Sequence, residues 1–250
     1  MSGHSKWHNI RLQKGKADLE RGKIFGKLSR EITIAARQGG GSPDANARLR
    51  LAIEKARSSS MPADNIKRAI QKGTGELGGE NYEEVTYEGY GPGGVAVLVE
   101  AATDNRNRTV ADVRHLFSKY GGNLGENGSV GWQFSRKGVI AVPAEGAYDE
   151  DTVMEAALEA GAEDFTRSGD TYEITTPVES LEAVKEALVA RGITVETAES
   201  ELVPQASVQI EGDIARRMLK LMDALEDHDD VQRVAANFDI AENILQEQSA

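Results

Sequence analysis

The chain has 250 residues, 39% of them hydrophobic and 28% charged, which is enough apolar material for two or three small domains with ordinary cores. It contains no cysteine, which excludes a disulfide framework, a thiolate nucleophile and any cysteine-bearing zinc site, and fits a reducing compartment. The formal net charge of −12 would repel a polyanion if it were evenly spread, but it is segregated: Met1 to Gly75 holds 16 Lys and Arg against 6 Asp and Glu, a net +10, leaving −22 for Glu76 to Ala250.

The opening stretch, Met1 to Lys16, is polar and basic and lacks the apolar segment of a signal peptide. No later run approaches the length of a membrane span, so a cytoplasmic protein without membrane partners is expected. Phe25, Leu28, Ile32 and Ala35 recur at helical spacing until Gly39-Gly40-Gly41 breaks the chain. Ser42-Pro43 offers an N-cap and a first-turn proline for a second helix striped by Ala45, Leu49, Ala52, Ile53 and Ala56. A third helix follows Met61-Pro62, with Ile66, Ala69 and Ile70 inward and Gly73 suited to the left-handed residue past its end. Residues 1–75 therefore read as an all-α basic domain, and the glycine-rich residues 76–81 as a linker.

Beyond the linker the period shortens. Val85, Tyr87 and Tyr90, the turn Gly91-Pro92-Gly93-Gly94 and the apolar run Val95 to Ala101 predict a strand hairpin. Asn107 is placed to cap a helix bearing Val110, Val113, Leu116 and Phe117, closed by Gly121-Gly122, before a strand over Val130 to Phe134. From Gly138 the order is strand, helix, hairpin, helix, strand, the βαββαβ pattern of ferredoxin-like modules. The expected fold class is α+β. An all-α N-terminal domain precedes two α/β-sandwich domains, the last ferredoxin-like (residues 135–204) and inserted in the second (residues 82–134 plus 205–240).

The residue types that carry chemistry are mostly cations. Lys6, Arg11, Lys14, Lys16, Arg21, Lys23 and Lys27 form the most basic segment, and Arg48, Arg50, Arg57, Lys67, Arg68 and Lys72, with Lys55, add a second cluster on the later helices. Cations on successive helical turns can bridge successive phosphates, giving salt-sensitive affinity without reading base sequence. No recognition helix with adenine-reading amides follows the break at Gly39 to Ser42, which argues against operator recognition by a helix-turn-helix. Trp7 has two readings, a base-stacking aromatic or an anchor for the N-terminal arm. Arg106 and Arg108, in the segment Thr103 to Thr109 where a strand feeds a helix, form a second anion site or else are solvated beside a turn pinned by Asp104.

No metal or cofactor is expected. His4, His8 and His115 have no cysteine or suitably spaced carboxylate to complete a site, and the acidic cluster from Asp223 to Asp230 lacks calcium-loop spacing. The glycine turns at Gly91 to Gly94 and Gly121 to Gly125 lack the lysine and serine of a phosphate-binding loop. No nucleophile with its base and no catalytic carboxylate pair emerges, so a non-enzymatic protein is expected.

Several segments together resemble the YebC/PmpR family: Gly3-His4-Ser5-Lys6-Trp7-His8-Asn9-Ile10, Arg21-Gly22-Lys23, Arg48 to Ile53, Met61-Pro62 through Gly75, Tyr87 to Gly94, Thr103 to Thr109, Gly121 to Gly125 and Asn237 to Ile240. The resemblance spans nearly the whole chain, most loosely over Ser135 to Val203. It implies three domains with a helical N-terminal one. Its bacterial members are described as DNA-binding transcriptional regulators, and its mitochondrial relative is a translational activator of a cytochrome oxidase subunit. Other members look ribosome-associated. The implied partner is therefore DNA, or alternatively ribosomal or messenger RNA and the ribosome. Lys6, Trp7, Arg21, Lys23, Arg48 and Lys72 match the family's motifs, whereas Gln13, Leu19 and Glu20 stand where its members are commonly more basic.

Overall fold

The structure is a computed structural model that describes residues 19–78, 81–145 and 148–240. Among the described residues three helices come first, α1 (Leu19–Gly39), α2 (Ala47–Ser58) and α3 (Ala63–Thr74). Then follow β1 (Glu83–Tyr90), β2 (Ala96–Thr103), α4 (Arg106–Lys119), β3 (Asn123–Leu124) and β4 (Phe134–Pro143). After them come α5 (Glu150–Glu159), β5 (Asp164–Ser168), β6 (Thr171–Thr176), α6 (Leu181–Ala190) and β7 (Thr197–Pro204). The described chain closes with β8 (Val208–Gln209), α7 (Gly212–Glu226), β9 (Val231–Ala236) and β10 (Phe238–Asp239). The architecture is α+β.

In the helical layer, Leu28, Ile32, Ala35 and Ala36 of α1 meet Leu49, Ala52, Ile53 and Ala56 of α2 and Ile66 and Ala69 of α3. The second helix begins later than Ser42-Pro43 suggests, and Asn46 is its cap. Its Oδ1 accepts the Leu49 amide at 3.0 Å while its Nδ2 donates to the carbonyls of Ala35 and Gly40 at 2.8 and 2.9 Å. One buried amide thus caps α2 and ties off the end of α1, which Ser42, exposed in the turn, does not do. Gly73 is not the terminal residue either. It lies inside α3, where a Cβ would sit 2.4 Å from the Thr33 carbonyl and 2.7 Å from the Ala36 Cβ, so it permits the close crossing with α1. The left-handed residue is Gly75, at φ 84°.

The first sheet has the order β3-β1-β2-β9, antiparallel throughout. Tyr87, Val97, Val99, Val234 and Ala236 pack on one face against Val113 and Phe117 of α4 and Met218, Leu219, Met222 and Leu225 of α7. The alternate residues of β1, Glu84, Thr86 and Glu88, point to the other face, where Ala96, Leu98 and Ala235 meet Val130 and Phe134. The second sheet has the order β5-β6-β4-β7, again antiparallel, with α5 and α6 over Ile140, Val142, Tyr172 and Ile174. That is the strand order of a split βαββαβ unit. The chain then returns to the first sheet, where β9 pairs with β2.

Two local expectations are corrected. Asn105, not Asn107, caps α4, its Oδ1 accepting the Arg108 amide at 3.1 Å. The stretch expected to be a strand from Val130 is a single 3₁₀ turn over Gly131–Gln133, with β4 beginning at Phe134. The reason is tertiary: Glu88 takes the amides of Val130 and Gly131 that a strand would have offered to a neighbour.

Candidate nucleic-acid interface

Helical phase sorts the cations of α2 into two kinds. Residues seven apart lie almost over one another after two turns, so Arg48 with Lys55 and Arg50 with Arg57 occupy opposite flanks of the buried stripe. The first pair faces the sheets. Arg48 forms a two-pronged ion pair with Glu84 of β1 and donates to Gln38 Oε1 at 2.6 Å, and Lys55 Nζ lies 2.7 Å from Glu199 Oε2 of β7. The hydrogen bond to Arg48 holds the Glu84 carboxyl below its ordinary value, against its partial burial.

The second flank is open. Arg50 and Arg57 are exposed, and apart from a 3.3 Å hydrogen bond from Arg50 to the Pro43 carbonyl they have no partner among the described residues. Lys67, Arg68 and Lys72 of α3 are likewise exposed, with no ion pair to any described residue. Within the helical layer these five are the sequence-predicted cations that form no ion pair with a described residue.

Lys23 and Lys27 have another use. Together with Arg30 they follow the i, i+4, i+7 spacing of one helical face, and that face meets the acidic turn between α7 and β9. Lys23 Nζ is 3.7 Å from Asp227 Oδ1, Lys27 Nζ donates to the Glu226 carbonyl at 2.6 Å, and Arg30 reaches both the Asp229 carbonyl and, at 3.4 Å, Asp230 Oδ1. The cations of α1 thus fasten the helical layer to the first sheet's acidic end. The expectations placed on Lys6, Trp7, Arg11, Lys14, Lys16 and the Arg21 side chain lie outside the described residues.

Asp230 organises the other side of that junction. Its side chain is 3% exposed and accepts hydrogen bonds from Thr103, Thr109 and Arg108 at 3.2, 2.7 and 2.8 Å. Burial alone would raise its pKa, but the hydrogen bonds from Arg108 and Thr109 outweigh that and hold the carboxyl below its ordinary value. Arg108 also binds Asp104 at 2.7 Å, so it is committed within the protein rather than open to a phosphate. Arg106 is exposed, 4.0 Å from Glu83, at the edge of a cavity of about 350 Å³ that Asp104 and Asn105 also line.

A carboxylate cluster sits beneath α2. Burial, with Glu173 and Glu199 beside it, pushes the Glu201 carboxyl up to about 7, while Arg233 and Lys55 oppose the shift. Between the ordinary glutamate value of 4.5 and about 7, the folded protein keeps a proton there that the unfolded chain has lost. Stability therefore falls as pH rises through that window. Glu201→Gln is expected to raise the melting temperature at pH 8 by roughly 3–6 °C, with a smaller gain at pH 5. Scanning calorimetry at both pH values measures it, and an equal change at the two would contradict the assignment.

Sequence reasoning missed Glu84, Glu88, Trp132 and Asp230. The three carboxylates take their roles from remote partners, whereas Trp132 is anchored locally to Ser129, and only the glycines around it hinted that its segment was a loop. Among the described residues no group of His, Asp or Glu converges as a metal site, and no helix is long and apolar enough to cross a membrane.

Fold and charge together define an α+β protein with an exposed cationic helical surface and acid-rich sheet layers. The chain belongs to the TACO1/YebC family: its residues 5–76 match the family model described as the TACO1/YebC protein N-terminal domain, and residues 82–238 the one described as the TACO1/YebC second and third domain. A relative from Pelotomaculum thermopropionicum, named "Probable transcriptional regulatory protein", is 56% identical over 241 residues, covering 96% of this chain and 99% of its own. One of the same name from Persephonella marina is 55% identical over 251 residues, covering all of both chains. The crystal structure of a conserved hypothetical protein from Aquifex aeolicus superposes with a TM-score of 0.82 at 53% identity, over 92% of this chain and 94% of that one.

Proposed function

We propose that the protein is a non-enzymatic regulator of gene expression that holds nucleic acid on its helical layer, with DNA as the first-choice ligand. The observation that carries this reading is that Arg50, Arg57, Lys67, Arg68 and Lys72 form no ion pair with any described residue, whereas Arg48 and Lys55 of α2 are matched by internal carboxylates. An exposed cation is fully hydrated and loses little by exchanging water for a phosphate, whereas Arg48 or Lys55 would first have to leave a carboxylate. The names of the relatives, "Probable transcriptional regulatory protein", favour transcription as the process. In this reading the chain is divided into a basic helical domain (1–75), a linker (76–81), a discontinuous α+β domain (82–134 plus 205–240) and an inserted ferredoxin-like domain (135–204). The protein works in the cytoplasm.

Five phosphate contacts predict that log Kd against log salt for duplex DNA has a slope of about 4 to 5 in magnitude. Fluorescence anisotropy titrations across a salt series measure it, and a flat response would remove the cationic surface from the account. The second reading, an RNA- or ribosome-associated translational activator, is favoured by the exposed aromatic ring of Trp132, a group suited to unpaired bases. Sedimentation of cell extract through a sucrose gradient separates the two. Co-migration with ribosomes supports translation, and confinement to free fractions together with a footprint at one promoter supports transcription.

A further inference from the structure

One buried carboxylate holds the loop between β3 and β4. Glu88, 9% exposed, accepts the amides of Gly128 and Val130 at 2.7 Å and of Gly131 at 2.6 Å. Burial works against its charge, but the three amides prevail and keep its carboxyl below the ordinary value. The Gly125 amide donates to the Glu88 carbonyl at 2.7 Å, and the Tyr90 hydroxyl to the Ser129 carbonyl at 3.0 Å. Gly128 takes φ 87°, and a Cβ on Gly125 would come within 2.7 Å of Ser129 Oγ, so the loop's shape depends on glycine at these points.

What this rigid loop displays is Trp132, 69% exposed, more than any other exposed large apolar side chain among the described residues. Its indole N–H donates to the Ser129 carbonyl at 3.2 Å, so one ring edge is anchored while much of the ring stays in solvent. No other exposed large apolar side chain lies in the loop, and the exposed neighbours are Glu126, Asn127 and Gly128. A protein-docking hot spot sets its tryptophan amid other buried contact groups. A solitary, pre-oriented ring among glycines and polar groups instead suits base stacking, which needs only a π-face and little ordering on binding.

The geometry points to Trp132 as a stacking platform for an unpaired nucleobase, with Glu88 as the positioning residue that fixes the loop. This rests on the nucleic-acid reading above and narrows its ligand to one with at least one base free of the helical stack. Glu84, which Arg48 grips, and Glu88 lie four residues apart on the same side of β1, about 13 Å along the strand, so the loop stands on the sheet face where Arg48 seats α2.

The test uses the full chain with Trp7→Phe, which leaves Trp132 as its sole tryptophan. The probes are a short mixed-sequence single-stranded RNA and a DNA duplex of the corresponding sequence. Single-stranded RNA is expected to quench the Trp132 fluorescence and the duplex to leave it unchanged. In the otherwise native chain, Trp132→Ala should weaken single-strand binding roughly 5- to 150-fold with duplex affinity unchanged, and Trp132→Phe should retain most of the affinity. Glu88→Gln should lower the fluorescence anisotropy of Trp132 before any RNA is added and weaken single-strand binding to a lesser degree. Equal single-strand affinity of the native chain and Trp132→Ala overturns the platform while leaving the cationic surface intact. A loss confined to ribosome co-sedimentation also overturns it, by marking a protein contact. If the native chain binds neither probe, the nucleic-acid reading itself fails.

Discussion

Converting Arg57, Lys67, Arg68 and Lys72 together to Glu is expected to weaken nucleic-acid binding on the order of 10³-fold at moderate salt, taking about 1 kcal/mol for each lost charged contact. The same change should reduce the magnitude of the salt slope by about 4, one unit for each phosphate contact removed. These side chains are exposed and free of described partners, so the melting temperature should move little. The matched control is Arg48→Gln with Lys55→Gln. Those cations are already paired with Glu84 and Glu199, so their loss should alter how the helical layer seats on the sheets while leaving the slope nearly unchanged. Anisotropy titrations of both variants decide the matter. Equal losses in the two would mean that internal pairing does not set which cations bind.

The largest stability effect is expected at Asp230. Asp230→Ala removes the acceptor shared by Thr103, Thr109 and Arg108, and the partner of Arg30, at a position with 3% side-chain exposure. The expected loss is about 3 kcal/mol, the lower end for breaking a buried ion pair, because Arg108 is half exposed and keeps Asp104. Its carboxyl is held below the ordinary 3.8, so its contribution is fully present above that value and disappears as pH falls through the lowered one. Urea denaturation at pH 7 and at pH 3 measures both predictions. A native-like midpoint for Asp230→Ala at pH 7 would show that the junction is held by other contacts. Asp230 and Glu201 thus act with opposite sign on acidification, which separates them experimentally.

Much of the fold is written in local pattern. The stripe through Leu28, Ile32 and Ala35 and the one through Leu49, Ala52, Ile53 and Ala56 are buried as their spacing requires, since an apolar face repeating every 3.6 residues has nowhere else to go. The alternation from Gly138 onward likewise predicts the strand and helix order that forms the β5-β6-β4-β7 sheet. Boundaries were less legible. Ser42 and Asn46, or Asn105 and Asn107, are equally good caps on paper, and Asn46 prevails because it also reaches Ala35 and Gly40 across the layer.

For the candidate interface, the amino-acid sequence alone determined that positive charge gathers in the first 75 residues and that helices carry it, because both are sums over neighbours along the chain. Which of those cations face outward was decided only when the chain folded. Arg48 and Arg50 are the same residue type two positions apart, yet one grips Glu84 and the other lies open, because a helix turns them some 200° apart and the sheets stand on one side only. The physical reason is range: side-chain spacing is a property of a few residues, whereas charge pairing depends on carboxylates such as Glu199 and Asp230 brought from more than a hundred residues away.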